Sequence, residues 1–238
     1  MRLLCAGATV PFPLIAGFPG RWVAVAGGGD VVGILLAAGA GRRMGGPKAL
    51  VGPLAGDPAL RTVGGPASTS RRTPSPLEQM ASRLNDGGCD RVIAVIGAHA
   101  AKVRIAVTDR PWLSLVEAPD WVEGVGASVR AGLAAAAATD AVAALVMLVD
   151  LPDVGADVVR RLLAAAPPAT SALARASYGG VPGHPVLLGR DWWTPAQDVA
   201  VGDRGARDLF SREPHTLVEC GDLAGGADVD SVCTDPSA

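Results

Sequence analysis

The sequence predicts an α/β protein built on a mostly parallel sheet, and three observations carry that prediction. Short apolar runs at Val31–Leu36, Arg91–Ile96 and Ala144–Val149 read as strands buried on both faces. Stretches with helical chemistry separate them, and strand–helix–strand alternation demands parallel pairing through crossovers. Directly after the first run comes a turn rich in glycine (Gly39, Gly41, Gly45, Gly46) that holds three cations, Arg42, Arg43 and Lys48. Glycines let backbone N–H groups approach a ligand closely, and such a nest of amides is an anion site. A strand, a glycine turn and converging cations point to nucleotide phosphates.

The elements follow in order. Residues 1–30 do not fit the sheet pattern and read as an extension that is poorly ordered, or as a start assigned too early. A signal-peptide reading of Arg2 and the apolar stretch after it is weakened by Pro11 and Pro13, which break the run. The domain proper spans 31–238. Within it, residues 52–76 carry Pro53, Pro58, Pro66, Pro74 and the tract STSRR, which is loop chemistry and long for an internal connection. This segment reads as an insertion or a mobile lid. Arg71 and Arg72 either touch a polyanionic substrate or decorate a solvated loop.

Ser75-Pro76-Leu77-Glu78 opens a helix with Ser as N-cap, Pro at N1 and Glu at N3. It ends near Asn85–Gly88. A helix from His99–Ala100 to about Val107 follows the second strand, with His99 either a surface residue of the βα turn or a nucleotide contact. Leu113–Glu117 is a short strand. Ala118–Ala138 begins as a glycine loop and becomes a helix capped by Ser128. The Ala144–Val149 strand runs into Asp150, and a helix covers about Ala156–Ala165. Ser171–Ala176 is a strand, Gly202–Phe210 opens a helix, and Thr216–Glu219 is the final strand. There are no internal repeats.

Composition narrows the function classes. The 238 residues carry a net charge of −2 with a pI near 5.9, which argues against a nucleic-acid surface. The longest apolar stretch, Ala131–Val149, is broken by Thr139 and Asp140 and does not read as a membrane span. Cys5, Cys89, Cys220 and Cys233 show neither C-x-x-C spacing nor histidine pairing, so neither zinc nor a disulfide framework is indicated, and a cytoplasmic location is the simple reading.

Two known phosphate loops fit poorly. In a P-loop the glycine spacing Gly41–Gly46 would be followed by lysine and a hydroxyl, but here Pro47 displaces the lysine and Ala49 replaces the hydroxyl. Gly39, Gly41 and Gly45 are too loosely spaced for the dinucleotide fingerprint, and two arginines with a lysine are not its usual filling. An ordinary βα turn with surface arginines is the bland alternative.

Ligands of open α/β sheets sit beyond the carboxyl ends of the strands. The Gly39–Lys48 loop, Asp150 and Ser128 fall there, and Asp230 comes near the chain's end. Chemistry at a nucleotide's phosphates asks mainly for positioning and charge neutralisation. The loop amides with Arg43 and Lys48 would hold a triphosphate. Asp150 would hold Mg²⁺ against its oxygens, or else cap a helix.

The run L-A-A-G-x-G-x-R-M-G-x-P-K at Leu36–Lys48 resembles the signature of MobA-like nucleotidyltransferases. APDWVEGVGASVRAGL, LVDLP, PGHPVLL, GDRGARDL and the closing D-V-D-S resemble blocks of the molybdenum cofactor cytidylyltransferases. The resemblance covers about Val31–Asp230 apart from the 52–76 insertion. It implies a Rossmann-like three-layer nucleotidyltransferase fold, Mg²⁺ as cofactor, and attachment of CMP or GMP to the phosphate of molybdopterin. A molybdoenzyme or its chaperone is a further implied partner.

By motif match, Lys48, Arg43 and Asp150 are the catalytic residues. Leu36, Ala37, Ala38, Gly39, Gly41, Gly126 and Ser128 join Arg43 and Lys48 around the nucleotide. Gly183, His184 and Pro185 lie toward the acceptor, and Asp150 and Asp230 hold the metal. Ala38 and Pro47 favour CTP, because the guanylyltransferase branch more often reads L-A-G-G with an acid before the lysine. The Gly124–Leu133 grouping also resembles sugar-alcohol-phosphate cytidylyltransferases, which lack the PGHP block. Asp153 departs from the family, where an apolar residue is usual, and reads as a third acid or a helix cap; Ser231 stands for the usual threonine. The competing class is a degenerate member that only binds nucleotide.

Overall fold

The computed structural model describes residues 30–42, 45–51 and 73–228. Arg43, Asp230, Arg71, Arg72, Ser231, nearly all of the 1–30 extension and most of the 52–76 insertion lie outside the described residues.

Seven strands form one sheet: β1 (Val31–Leu36), β2 (Arg91–Ile96), β3 (Leu113–Glu117), β4 (Ala143–Leu148), β5 (Leu173–Tyr178), β6 (Val181–Gly189) and β7 (Thr216–Glu219). Their spatial order is β3-β2-β1-β4-β6-β5-β7. The β1–β2, β1–β4, β2–β3 and β5–β7 pairs are parallel, and only β6 runs against its neighbours. The strands near the centre are apolar along their whole length; all six residues of β1 are buried. That is the signature of a sheet covered on both faces.

Six helices supply the cover: α1 (Pro76–Asp86), α2 (Ala100–Ala106), α3 (Val125–Ala137), α4 (Ala156–Ala165), α5 (Trp193–Val199) and α6 (Arg207–Arg212). Leu77, Met80 and Leu84 of α1, Val103 of α2 and Val158, Val159 and Leu162 of α4 pack on one face of the sheet. Val129 and Leu133 of α3, Trp193 and Ala196 of α5 and Leu209 and Phe210 of α6 pack on the other. The result is the three-layer α/β arrangement that the strand–helix alternation predicts. Among the described residues no helix is long and apolar enough to cross a membrane.

The capping chemistry read at Ser75 is present in full. The Ser75 hydroxyl accepts from the Glu78 N–H at 3.3 Å, and the Glu78 carboxylate accepts from the Ser75 N–H at 2.8 Å. Its other oxygen accepts from the Thr108 N–H at 3.0 Å, so the buried cap also ties α1 to the end of α2.

Several expectations shift. The fifth strand starts at Leu173 rather than Ser171, because residues 170–171 form a turn. The PGHPVLL block is strand β6, joined to β5 by a turn at Gly179–Gly180 where both φ angles are positive. Helix α3 starts at Val125 with Gly124 as its cap, so Ser128 caps nothing and lies inside the first turn. Gly124 has a φ of 116°, which only glycine adopts without strain, and a side chain there would collide with Asp203. Asp150 caps no helix either; α4 begins at Ala156 behind Gly155.

Candidate functional site

A cavity of about 720 Å³ opens beyond the carboxyl ends of β1 and β4. The glycine loop forms its first wall. Two backbone bonds fold the loop back on itself, from Gly46 N–H to the Gly41 carbonyl and from Lys48 N–H to the Gly39 carbonyl, both 3.3 Å. Gly41 takes a left-handed φ of 55°, and a Cβ there would collide with the Gly46 carbonyl. The loop's shape therefore requires glycine at this position. Ala49, which stands where a P-loop carries its hydroxyl, is fully buried, and its carbonyl accepts from Leu77 N–H at the start of α1.

This geometry swings Lys48 across the cavity floor. Its Nζ lies 2.6 Å from Asp150 Oδ2. The two side chains are 21% and 14% exposed, enough desolvation for the pair to hold its geometry and enough access for a ligand to compete for it. Asp150 sits two residues past the end of β4, whose hydrogen bonds to β1 fix it opposite the phosphate loop.

The second wall is the turn Trp121–Glu123 and the start of α3. Arg130 of α3 braces this turn, donating to the Glu123 carboxylate at 2.6 Å and to the Ala200 carbonyl at 2.5 Å. Trp121 presents a half-buried ring to the cavity, and the buried Ser128 lies beside it. The mouth is completed by Asp203 and by Asp228, the last described residue.

Of the residues expected at the nucleotide, Leu36, Ala38, Gly39, Gly41, Lys48 and Ser128 line this one cavity, together with Asp150, expected as a catalytic residue and metal ligand. Ala37 does not; its side chain is buried in the core and its N–H donates to the Val95 carbonyl. Gly126 does not either. It is buried where α3 meets the backbone of Ala200 and Val201, so closely that a Cβ would clash. Arg43 and Asp230 lie outside the described residues. His99 is exposed and belongs to the turn before α2. Gly183, His184 and Pro185 are on β6, next to β4 but not in the cavity wall. Sequence reasoning missed Trp121, Asp203 and Asp228 as cavity residues. The first two stand inside blocks that carried the family resemblance, and the third is the first acid of D-V-D-S.

Asp153 is neither a third acid of the cavity nor a cap. Its Oδ2 accepts from the N–H groups of Gly225 at 2.6 Å and Gly226 at 3.1 Å. From the other side, Arg83 donates to the Pro152 carbonyl at 2.7 Å and to the Val154 carbonyl at 3.2 Å. The turn after Asp150 is thus braced, and it clips the closing segment so that Asp228 reaches the mouth. Replacing Asp153 with alanine is expected to speed hydrogen exchange at Gly225 and Gly226 by about tenfold or more, the worth of one bond to a charged acceptor. Exchange mass spectrometry on the 221–228 peptide reads this directly. Unchanged exchange would mean that the clip is held by other contacts.

Comparison with known proteins gives the chain a family. The model of the MobA-like NTP transferase domain matches residues 33–217. The chain belongs to the MobA-like NTP transferase family. This MobA-like chain is 35% identical over 210 residues to the nicotine blue oxidoreductase of Paenarthrobacter nicotinovorans, covering 85% of this chain and 93% of that protein. Among solved structures, Rv0371c of Mycobacterium tuberculosis H37Rv is 26% identical with a TM-score of 0.64, covering 86% of this chain and 95% of that one. A manganese complex of Rv0371c aligns with a TM-score of 0.59 at 24% identity, over 84% of this chain and 94% of that one. The MobA-like fold and the nucleotidyltransferase family are thereby secured, together with the three-layer architecture read from the sequence.

Elsewhere in the domain, Cys89 and Cys220 are buried free thiols. Burial, with Asp90 nearby, pushes the Cys89 thiol up and makes it inert at neutral pH. Among the described residues no cluster of three or more histidine, cysteine or acidic side chains is arranged to hold a metal.

Proposed function

We propose that the chain transfers a nucleoside monophosphate, CMP from CTP, to the phosphate of molybdenum-molybdopterin and releases pyrophosphate. The observation that carries this reading is the pairing of the glycine-loop Lys48 with Asp150 on the floor of one cavity. Loop amides and Lys48 would bind the β- and γ-phosphates, with Arg43 as a further triphosphate ligand. Trp121 offers a face on which the base stacks, an interaction worth about 1–3 kcal/mol.

Asp150 offers a hard oxygen donor at a spot that a triphosphate also reaches, and Mg²⁺ takes one or two carboxylates plus substrate oxygens. The residues present therefore fit such an ion, with Asp150 and Asp230 as its proposed ligands. When bound, Mg²⁺ would neutralise charge on the phosphates. Lys48 would then exchange its carboxylate partner for phosphate oxygens.

The reaction forms a bond from an acceptor phosphate oxygen to the α-phosphorus and breaks the α–β bridge, the electron pair leaving on pyrophosphate. A phosphate monoester is largely ionised at neutral pH, its second pKa being about 6, so no base has to remove a proton. The cavity wall, which holds no histidine among the described residues, is consistent with that. Gly183, His184 and Pro185 are proposed to face the acceptor. The preference for CTP over GTP rests on Ala38 and Pro47 shaping the loop. A pocket that satisfies cytosine leaves polar groups unpaired against guanine, which costs selectivity. Pyrophosphate release with molybdenum-molybdopterin and each nucleotide tests this: CTP should turn over faster. Equal or faster turnover with GTP sinks the preference, and no turnover with any nucleotide sinks the acceptor.

A second reading comes from the 35% identical relative named an oxidoreductase. In it the same cavity seats the nucleotide portion of a redox cofactor. Oxidation of NADH or NADPH by the purified chain in the presence of nicotine blue, with no pyrophosphate released in the transfer assay, would favour it.

A further inference from the structure

Beyond β4, on the side of the cavity away from the glycine loop, basic groups gather that have no carboxylate partner among the described residues. Arg175 stands on β5 in register with Val186 of β6. Val186 packs on the sheet face that Phe210 of α6 covers; Gly183 faces the Tyr178 ring on the opposite face, and the next residue of β6, His184, turns away from it. The Arg175 guanidinium stacks on the Phe210 ring at 5.1 Å and donates to the Gly183 carbonyl at 3.2 Å. Arg207 precedes Phe210 by three residues on α6, so the two share a helix face. Among the described residues no carboxylate pairs with Arg175 or Arg207. The nearby acids are engaged elsewhere: Asp208 pairs with Arg204, and Glu219 is held by Ser177 and three backbone N–H groups.

We propose that Arg175, Arg207 and His184 form an anion subsite that seats the phosphate monoester of the acceptor. This rests on the nucleotidyl-transfer reading and adds to it where the second substrate sits and what charge it presents. Strand order supports the placement. The phosphate loop follows β1, Asp150 follows β4, and β6 and β5 come next. Adjacent strands are about 4.8 Å apart, so the subsite lies roughly 5–10 Å from the Asp150 strand, on the side opposite the pyrophosphate. In-line displacement needs attacking and leaving oxygens on opposite sides of the phosphorus, and an acceptor seated beyond β4 would approach from the side away from the glycine loop. The electrostatics agree. Burial and Arg207 hold Arg175 below the usual arginine range. Burial and the two arginines push His184 down to about 4, so at neutral pH it is an uncharged donor beside two cations. An incoming dianion relieves the repulsion between the arginines.

The test uses the full chain and inorganic phosphate, followed by ³¹P line broadening, with Arg207→Glu and Lys48→Ala compared with wild type. Arg207 is exposed and starts a short helix, so its replacement leaves the core intact; circular dichroism checks this, and Arg207→Gln repeats the test without reversing charge. Phosphate affinity should fall at least about tenfold in both Arg207 variants, the loss of one charged hydrogen bond, and largely persist in Lys48→Ala. Phenyl phosphate, a monoester, should compete for the same signal. Three results would overturn the proposal: no phosphate signal in the wild type, a signal lost in Lys48→Ala but kept in the Arg207 variants, or phenyl phosphate failing to compete. The nucleotidyl-transfer reading fails on a separate result, the absence of CTP and GTP binding by calorimetry, which leaves the phosphate result readable.

Discussion

Asp150→Asn is expected to remove at least about a hundredfold of turnover while leaving the fold intact. The comparison is with outer-shell metal partners, whose loss costs 10–100-fold; a direct ligand should cost no less. The amide keeps the shape and one acceptor oxygen but gives up the charge that attracts a divalent ion. It also takes the charge out of the 2.6 Å contact with Lys48, so triphosphate binding in the absence of metal should hold or tighten slightly even as turnover collapses. That split separates a metal ligand from a merely structural carboxylate. Near wild-type turnover at saturating Mg²⁺ would remove Asp150 from the site.

Lys48→Ala should weaken triphosphate binding by about 1.5–3 kcal/mol, the range for a hydrogen bond to a charged group. Calorimetry with a non-hydrolysable CTP analogue measures it. A second effect runs through Asp150. That carboxylate is 14% exposed and, without its lysine, is a poorly solvated anion with its partner removed. Thermal stability without ligand should therefore fall, and added Mg²⁺ should restore part of it. Unchanged nucleotide affinity would return the glycine loop to an ordinary βα turn.

The parts of the fold legible in the sequence are those whose chemistry is local. Buried runs such as Val31–Leu36, too short for a helix, read as central strands, and this one is β1. Ser75-Pro76-x-Glu78 states a helix start in the residues themselves, and the capping box is present as read. β6 was not legible. Its prolines and glycines imitate a loop, and what makes it a strand is tertiary: β4 on one side and β5 on the other supply its hydrogen bonds. Helix α5 was missed too, since Trp193–Val199 is only a few residues long and is held by the buried Trp193 and Ala196.

The site divides in the same way. Lys48 was singled out by the glycine loop that follows β1 and Asp150 by the end of β4, and the two side chains meet in one cavity. Ser128 is in the cavity wall but not as a cap, because Gly124 starts the helix earlier than a hydroxyl-based reading allows. Gly126 and the Asp153 clip depend on contacts with Ala200 and Gly225, which no spacing rule connects to them.

The clip has a consequence for how the protein comes into being. The cavity takes its first wall from the segment after β1 and its last contribution from Asp228, nearly two hundred residues later in the order of synthesis. A nascent chain that has completed β1, α3 and β4 already owns the loop and Asp150, but not the edge that Asp153 fastens. Among the described residues, the lining of the cavity is therefore complete only once Asp228 has been made. A chain halted before Gly225 would carry all seven strands of the sheet and still lack the segment that Asp153 fastens at the mouth.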